Sequence, residues 1–415
     1  LSNVKVKFDS ITALVALNNF GKSNFLKGID YGLDFIKAPS DLKINLMSIS
    51  DLIPINRNIE GENFKFEIEA ITKEKHKEYR IHYGYEFKWK LDEEEEPKIV
   101  KEFLKIKLNE KGKKYTQLIK RNVKNALYKS SATGRCSSKI KVDPNELVVN
   151  KISAYDELYY IGLIDKVNSM TMYMETDMDT KKFYRPNFLV PKGLENEMIK
   201  TEDLSRVIFN LKKNSPGKFE LLKDVFFQLF PNIEDIIVKK FSINPKEENQ
   251  LPDDVPFIFT NTIYVLYVKD KNLTHPVDFS IMSDGAKRVF MILTKLIISR
   301  DANISLIAVE EPENCIHPSL FHAYIQIINQ LLDGCKIIVT SHSPYIVSYL
   351  DPACIHVGLE RTAGVAEFFS FKNTGKKQLE RDAAYFNMST GDYLFSMLAD
   401  SDSEITNYLE CEANE

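Results

Sequence analysis

The sequence has few cysteines, no long hydrophobic run and no excess of positive charge. Each of these features argues against a particular class of protein or partner. Its five cysteines form no close pair, and their odd number argues against a disulfide framework. No apolar run approaches the length of a membrane span and no signal peptide is visible, so we expect a cytoplasmic protein without a membrane partner. The net charge of −4 gives no overall attraction to nucleic acid. Cys-x-x-Cys and Gly-x-Ser-x-Gly elements are also absent from the sequence.

The chain is rich enough in apolar residues to fold. Its 415 residues are 44% hydrophobic and 27% charged, which is typical of a globular protein with one large or two medium domains.

The first informative segment predicts a strand, a tight turn and a helix. Residues 12–17 are apolar and rich in β-formers, Asn18 to Gly21 break the run, and a helical pattern begins at Lys22. A helix N-terminus favours anions through its free N–H groups and its dipole. In such a loop Lys22 would reach the β- and γ-phosphates and Ser23 would hold Mg²⁺. The alternative is a glycine turn with a surface lysine.

The second segment places carboxylates at a strand end. Residues 304–309 form a continuous apolar run, as in a parallel strand buried on both faces, and Glu310-Glu311-Pro312-Glu313 follows it. Adjacent buried carboxylates are costly without a metal or a partner. We expect Glu310 to hold Mg²⁺ and Glu311 to act as the general base for the attacking water. The alternative is a strand that runs into an acidic loop.

Two further segments complete the set. An apolar strand at 336–340 leads to His342, which we expect beside the γ-phosphate. Ser283-Asp284-Gly285 precedes a predicted helix over 286–299, and a serine N-cap at a helix start is again an anion site. One chain does not need two such sites for one nucleotide. We therefore expect the second site to face the nucleotide of another copy, so that two copies enclose two ATP molecules.

These segments together resemble the ABC-type ATPases of the RecF, SMC and Rad50 group. They are most similar to the branch found in overcoming-lysogenisation (OLD) nucleases and in phage-defence ATPases of the Gabija, Septu and PARIS systems. The matching motifs are N-N-x-G-K-S-N at Asn18–Asn24, S-x-G-x-K-R at Ser283–Arg288, E-E-P-E-x-x-x-H-P at Glu310–Pro318 and T-S-H-S-P at Thr340–Pro344. The resemblance covers about 1–60 and 255–372, with Ala16 in place of the usual first glycine and Cys315 within the acidic segment.

The resemblance implies an α/β fold, with ATP and Mg²⁺ as cofactors. We expect an ABC-type P-loop ATPase head, with a mixed sheet, a flanking antiparallel sheet and an inserted, mostly helical lobe. Its parts would be 1–110 (first half of the head), 111–255 (basic segment and helical lobe) and 256–415 (second half). The expected catalytic residues are Glu311, His342 and Lys22, and the expected metal ligands are Ser23 and Glu310. The expected ATP contacts are Asn18, Asn19, Phe20, Gly21, Lys22, Ser23, Asn24, Ser283, Asp284, Gly285 and Lys287.

Periodicity predicts the remaining elements. We expect strands at 64–72, 79–91, 101–108, 234–243, 257–268, 354–359 and 365–371, and helices at 149–170, 200–213, 216–230 and 386–399. No heptad pattern is long enough for an extended coiled coil. About 70 residues follow His342, too few for the TOPRIM nuclease domain of OLD nucleases, so we expect any cutting activity on a separate subunit.

Charge is unevenly distributed. Residues 111–141 hold ten Lys or Arg and no Asp or Glu, whereas Asp92–Glu96 and the C-terminal residues 400–415 are acidic. The basic segment could bind a phosphate backbone, be a solvated loop, or meet an acidic partner protein. The acidic tail would be a docking or a merely solubilising segment.

These observations lead to one functional hypothesis and two alternatives. We expect an ATP-hydrolysing subunit of a bacterial anti-phage complex, whose ATP-dependent dimerisation controls a nuclease or toxin effector after a phage trigger. A higher homo-oligomer would be compatible with this role. The alternatives are a RecF-like DNA-maintenance ATPase that binds DNA directly and a non-hydrolysing, nucleotide-dependent scaffold.

Overall fold

A computed structural model describes most of the chain, in fourteen stretches. They are 4–48, 50–91, 96–155, 157–175, 184, 189–191, 203–242, 257–259, 261–299, 304–314, 316–332, 334–362, 365–400 and 403–410. The acidic run at 92–95 and the end of the acidic tail lie outside these residues. The chain forms two units, one built mainly from 21–172 and the other from 5–20, 173–358 and 368–415.

The described residues form the following elements. The strands are β1 Ile11–Val15, β2 Phe64–Glu74, β3 Lys77–Lys88, β4 Lys98–Leu108, β5 Thr116–Arg121, β6 Ala126–Tyr128, β7 Ser138–Lys139, β8 Met172–Glu175, β9 Leu189–Pro191, β10 Ile233–Ser242, β11 Phe257–Phe259, β12 Thr262–Asp270, β13 Val277–Asp278, β14 Leu306–Glu310, β15 Lys336–Ser341, β16 Ile355–Thr362 and β17 Val365–Ser370. The helices are α1 Lys22–Lys37, α2 Ser40–Ser48, α3 Val148–Ile152, α4 Ile161–Asn168, α5 Leu204–Asn214, α6 Pro216–Leu229, α7 Asp284–Ser299, α8 Pro318–Leu331, α9 Pro344–Tyr349, α10 Gly375–Tyr385 and α11 Thr390–Ala399.

The central sheet contains the most apolar strands of the sequence. Its order is β17-β16-β1-β15-β14-β8, and β15 runs parallel to both β1 and β14. All five residues of β1 are buried, as are the first four of β14, because helices cover both faces of such a sheet. Val15 lies opposite Ser341, and Glu310 lies opposite Thr340. The loops that follow β1, β14 and β15 therefore start at one edge, called here the carboxyl edge.

Helix α7 is buried along almost its whole length. Every residue from Gly285 to Ser299 is buried, and Phe290 contacts the rings of Phe226 and Phe279 at centroid distances of 4.9 and 4.8 Å. The sequence predicted this helix from its apolar spacing, and the prediction is confirmed. Packing along this length orients α7 as one unit, with its N-terminal Asp284 exposed.

The other unit contains an antiparallel sheet with the strands in chain order, β2 to β7. One face buries an aromatic row, in which Tyr85 and Phe87 stack on Phe35 of α1 at centroid distances of 5.0 and 4.8 Å. The strands predicted at 64–72, 79–91 and 101–108 are confirmed. The basic segment continues the sheet as β5, β6 and β7, so the boundary predicted at 110 falls between two strands of one sheet.

A buried carboxylate joins this sheet to the chain that follows it. Glu102 is fully buried and accepts hydrogen bonds from the backbone N–H groups of Val148 and Val149, at 2.7 and 3.0 Å. These are the first residues of α3, where N–H groups lack partners within the helix. Burial raises the pKa of the Glu102 carboxyl, and the two N–H groups oppose that rise.

Two helix predictions are wrong in extent. The helix predicted over 149–170 is two short helices, because the intervening chain turns to bury Tyr160, whose hydroxyl donates to the Lys129 carbonyl at 2.9 Å. The helix predicted over 386–399 begins at Thr390, after Asn387 in a left-handed conformation (φ 56°). Helix α10 before it was not predicted. In the described ranges, no helix is both long and apolar enough to cross a bilayer.

A glycine in α11 sets the position of the chain just after His342. A Cβ atom built on Gly391 would lie 2.0 Å from the carbonyl oxygen of Pro344, the first residue of α9. Backbone atoms cannot move aside as a flexible side chain can, so the close approach of α11 to α9 requires glycine.

We predict that Gly391→Ala lowers the free energy of unfolding by about 1–3 kcal/mol, the usual cost of overpacking. The matched control is Gly217→Ala in α6, where an added Cβ meets nothing within 4 Å. The control should be neutral or stabilising by about 0.4–1 kcal/mol. Denaturant titration of both variants measures the difference, and equal stabilities would show that α9 and α11 are not closely packed.

Candidate active site

The predicted phosphate loop leaves the carboxyl edge of the central sheet. Ala16, directly after β1, donates its N–H to the carbonyl of Ser341 at 3.3 Å. Asn19 and Gly21 have left-handed backbones, with φ of 60° and 89°. Successive turns of this kind direct backbone N–H groups toward one point, which suits an anion. Gly21 is the N-cap of α1 and contributes no side-chain cap, so the strand, turn and helix predicted here are confirmed.

The side chains of the loop differ in exposure. Lys22 is 7% exposed, whereas Asn18, Asn19, Ser23 and Asn24 are exposed. The chain passes from one unit to the other between Phe20 and Gly21. The exposed polar side chains at a helix start are suited to a phosphate group, and their assignment as ATP contacts stays a prediction.

A glycine on the neighbouring strand makes room for Phe20. A Cβ atom on Gly358 of β16 would lie 2.7 Å from the Phe20 ring and 2.8 Å from the Ala16 Cβ. The ring of Phe20 also meets Phe368 edge-on, with centroids 6.1 Å apart. This support for the loop comes from residues more than 300 positions away in the sequence, so no local pattern indicated it.

The residues after β14 form a tight loop at the carboxyl edge, called here the acid loop (Glu310–Asn314). Glu311 has a left-handed backbone, with φ of 48°, a conformation that is uncommon for residues other than glycine. Its N–H donates to the Thr340 carbonyl at 2.8 Å, and its own carbonyl accepts from the N–H of Asn314 at 3.0 Å. The strained residue is therefore fixed by hydrogen bonds on both sides, a pattern associated with functional sites.

Both carboxylate oxygens of Glu311 have partners. Nδ1 of His342 lies 2.6 Å from Oε1, and the Asn314 amide donates to Oε2 at 2.6 Å. The Glu311 and His342 side chains keep 30% and 38% of their surface exposed. The structure thus brings together Glu311 and His342, which the sequence singled out separately. It adds Asn314, for which the only signal was its position three residues after Glu311.

Two further carboxylates lie within the acid loop. Among the described residues, no group donates a hydrogen bond to the buried Oε1 of Glu310 or to the buried Oε2 of Glu313. The Ser341 hydroxyl donates to the other oxygen of Glu313. Burial raises the pKa of the Glu313 carboxyl, and the Ser341 hydrogen bond opposes that rise. Sequence analysis gave Glu313 no role.

The donor set fits a magnesium ion. A buried carboxylate oxygen without a hydrogen bond is costly, and oxygen ligands are those that Mg²⁺ prefers. In the part of the chain that the structure describes, no three His, Cys, Asp or Glu side chains form a metal cluster. Mg²⁺ does not need one, because in nucleotide sites it takes one or two protein ligands together with phosphates and water. Glu310 is suited to this role, and Ser23 remains the predicted second ligand.

A cavity of about 300 Å³ opens beside the acid loop. Glu313, Asn314 and His342 supply its polar wall, and Phe321 and Tyr345 are among its apolar lining residues. Of the catalytic candidates, His342 therefore faces open space rather than packed core.

Helix α7 begins where the signature segment predicts. The hydroxyl oxygen of Ser283 accepts the N–H of Ala286 at 3.2 Å, which confirms the serine cap. Ser283 and Asp284 are exposed. Lys287 is 6% exposed, and its ammonium lies 2.8 Å from Asp284 and 3.2 Å from the Ser280 carbonyl. Its charge is thus engaged within its own helix start, and its role as an ATP contact stays a prediction.

The last residue of the signature segment contacts the acid loop. The Arg288 guanidinium donates to the Glu310 carbonyl at 2.6 Å and lies 3.5 Å from the Asn314 carbonyl. The motif contained Arg288, but nothing in the local sequence indicated this contact with residues 22 and 26 positions away.

Comparisons with known proteins agree with the general class. Residues 188–348 match the family model described as "AAA domain, putative AbiEii toxin, Type IV TA system". The match covers less than half of the chain. It includes the Ser283, Glu310 and His342 segments and excludes the Lys22 loop. No curated protein matches the sequence at a significant level.

Solved structures that resemble this chain include three SMC heads. The SMC head bound to the C-winged helix domain of ScpA is 13% identical, with a TM-score of 0.42, over 90% of this chain and 94% of that chain. The SMC head domain from Thermotoga maritima is 11% identical, with a TM-score of 0.37, over 88% and 92%. The Smc head with an extended coiled coil, bound to the C-terminal domain of ScpA and derived from Pyrococcus furiosus, is 13% identical, with a TM-score of 0.40, over 91% and 94%.

These TM-scores are below 0.5, so no functional conclusion follows from these similarities. The α/β class predicted from the sequence is confirmed by the parallel central strands with antiparallel sheets beside them. The family match supports a nucleotide-dependent ATPase domain over residues 188–348.

Proposed function

We propose that this chain binds and hydrolyses Mg-ATP as the ATPase subunit of a bacterial anti-phage defence complex. The observation that carries the chemistry is the acid loop, where Glu311 is held by His342 and Asn314 beside a buried Glu310 oxygen without a hydrogen bond. The defence role is supported by the motif resemblance and by the matched family, whose description names a toxin system.

Each residue would have a separate task. Bound Mg²⁺ would neutralise charge on the phosphates. Lys22 and the N-terminus of α1 would bind the phosphate oxygens, and Ser23 and Glu310 would supply oxygen ligands. Glu311 would accept the proton of the attacking water, since its carboxylate is partly exposed at the carboxyl edge. His342 would orient that carboxylate through its 2.6 Å contact.

A second copy of the chain would complete the site. The exposed cap at Ser283 and Asp284 lies at the start of a buried, 16-residue helix, which favours an anion. In an isologous dimer each copy would present this helix to the nucleotide of the other. ATP would bind the closed dimer more tightly than the open form and so shift the population toward it. Closure, started by a phage trigger, would then control an associated nuclease or toxin.

We predict that Glu311→Gln retains ATP binding and lowers turnover about 10²- to 10⁴-fold, the usual contribution of a general base. The variant should accumulate as a dimer with ATP, because closure no longer ends in hydrolysis. Phosphate release and light scattering, with and without ATP, measure both effects.

Two control variants separate the steps. Lys22→Ala should abolish both binding and dimerisation, and Ser283→Arg should keep binding and lose the dimer. Unchanged turnover in Glu311→Gln would remove Glu311 as the base. Tight ATP retention without turnover in the wild type would favour the non-hydrolysing scaffold.

One surface supports a second candidate function, direct DNA binding. Paired residues on adjacent antiparallel strands share a face, and the pairs Phe103–Lys120, Lys120–Leu127 and Leu127–Lys139 define the outer face of β4 to β7. The basic face comprises Lys101, Lys105, Lys107, Lys120 and Lys139. None of these five ammonium groups forms an ion pair with any residue that the structure describes.

An aromatic ring organises the centre of the basic face. Phe103 is only 8% exposed although it lies on the outer face. The ammonium groups of Lys101 and Lys105 lie 5.5 and 5.1 Å from its centroid, and the side chain of His82 meets it edge-on at 4.9 Å. Gly84 lies opposite it, and a Cβ there would lie 2.8 Å from the ring. The ring thus supports the lysine stems and is not free to stack on a base.

Two acidic residues of β2 have partners of their own. Glu67 pairs with His82 at 3.2 Å, and Glu69 accepts the hydroxyl of Tyr115. Glu69 also interacts electrostatically with Lys107.

Glu86 of β3 lies opposite Lys101 and accepts a hydrogen bond from the Asn63 amide at 2.6 Å. The positive charge of the basic face is therefore compensated only in part within the sheet.

The composition of this face favours a phosphate backbone over a protein surface. Lysine is depleted at protein interfaces, where aromatic residues and arginine anchor the contact. On the outer face of β4 to β7, all of whose residues are described, lysine is the only charged residue type and the one aromatic ring is covered. Such a surface would bind DNA without reading its sequence.

We predict that replacing Lys101, Lys105 and Lys120 together with Gln weakens binding to a labelled DNA duplex, because three phosphate contacts are lost. The slope of log affinity against log salt should become less steep by about 2.7, or 0.9 for each contact. Fluorescence anisotropy at several salt concentrations, with and without ATP, measures the slope.

The matched control replaces Lys65, Lys73 and Lys77, exposed lysines of β2 and β3, with Gln. An equal loss of DNA affinity in both triple variants would show that binding depends only on the net charge of the protein. Absence of wild-type binding would reject the DNA function. Binding of polyglutamate in preference to DNA would instead favour an acidic partner protein.

A further inference from the structure

Arg288 is a buried cation outside the tasks described for the site. It is the fifth residue of α7 and is 6% exposed. Burying a guanidinium is costly unless its N–H groups have acceptors, so its contacts indicate what it stabilises. The role derived below rests on the proposed function, because it concerns the action of Glu311 in hydrolysis.

Two contacts of Arg288 lie at the two ends of the acid loop. One terminal nitrogen donates to the Glu310 carbonyl at 2.6 Å, and the other lies 3.5 Å from the Asn314 carbonyl. These carbonyls belong to the first and last residues of the loop. The planar fork of arginine suits two acceptors at once, whereas lysine offers a single point charge.

The loop between these carbonyls contains the strained residue that would act as the base. Glu311 has φ of 48°, and a conformation of this kind persists only where its surroundings hold it. Its carboxylate is oriented partly by the Asn314 side chain, at 2.6 Å. Arg288 therefore fixes both the backbone that presents Glu311 and the residue that orients its carboxylate.

The same helix begins with the cap predicted to meet another copy. Arg288 lies five positions after Ser283, a rise of about 7.5 Å along a helix. Ser283 caps α7 and Arg288 lies in the first turns of the same helix, so a displacement of the helix start moves the guanidinium with it.

We propose that Arg288 is a positioning residue that couples the two halves of the dimeric site. Contact of the Ser283 cap with the nucleotide of a second copy would shift α7, and Arg288 would transmit the shift to Glu311 of its own copy. Each copy would then reach full hydrolytic geometry only when its α7 is seated on the other copy's nucleotide.

The test compares Arg288→Lys and Arg288→Gln with the wild type. Both variants should bind ATP within about twofold of the wild type and lose roughly 10- to 100-fold in kcat, since displacement of a catalytic group by about 1 Å costs up to about 10²-fold. The Hill coefficient of turnover against ATP should exceed one in the wild type and approach one in the variants. If Arg288 had a purely structural role, the variants would lose stability, and kcat would not fall selectively while ATP affinity stayed unchanged.

Two further variants keep the test decisive. Asn314→Ala should lower kcat in the same way, and the double variant with Arg288→Lys should lose less than the product of the single losses, because both act on Glu311. The matched control is Thr294→Val in α7, where a buried hydroxyl donates to the Phe290 carbonyl at 2.8 Å. It should change stability and leave kcat unchanged.

The outcomes separate this inference from the proposed function. A wild type without turnover rejects the proposed function itself. A wild type that hydrolyses ATP, with equal kcat and Hill coefficient in Arg288→Lys, rejects the coupling alone. If Arg288→Gln fails to fold, Arg288→Lys and Asn314→Ala still decide the question.

Discussion

The site depends on one hydrogen bond between neighbouring strands at the carboxyl edge. The Glu311 N–H donates to the Thr340 carbonyl at 2.8 Å, directly after the last paired residues of β14 and β15. This bond extends the pairing by one residue and holds Glu311 in a left-handed conformation that costs on the order of 1–3 kcal/mol. Without it the chain would relax, and the carboxylate would leave the position where His342 reaches it.

Three carboxylates within four residues repel one another, and only some of their oxygens have hydrogen-bond partners. Glu311 is bonded by His342 and Asn314, and one oxygen of Glu313 by the hydroxyl of Ser341. One oxygen of Glu310 remains buried without a donor among the described residues. A divalent cation would remove this remaining cost, so the incomplete pairing is consistent with a metal-nucleotide ligand. The basic face carries an excess of positive charge. Lys101 and Lys105 share the ring of Phe103, and no lysine of this face forms an ion pair with a described residue.

Local features were predictable from the sequence and long-range contacts were not. The apolar run before Asn18, the serine cap at Ser283 and the run before Glu310 each follow from residues close in sequence, and the strands and helices there are confirmed. The contact of Arg288 with the acid loop and the space that Gly358 leaves for Phe20 depend on chain packing. Tertiary burial of Tyr160 also divided a helix that periodicity predicted as continuous.

The measurement that tests the central claim most directly is a calorimetric titration of the wild-type chain with ATP, in the presence and absence of Mg²⁺. We predict saturable binding of one nucleotide per chain, with affinity that falls when Mg²⁺ is removed, because Glu310 would then lack its cation. A flat titration at saturating Mg-ATP, with the chain folded, would contradict the account.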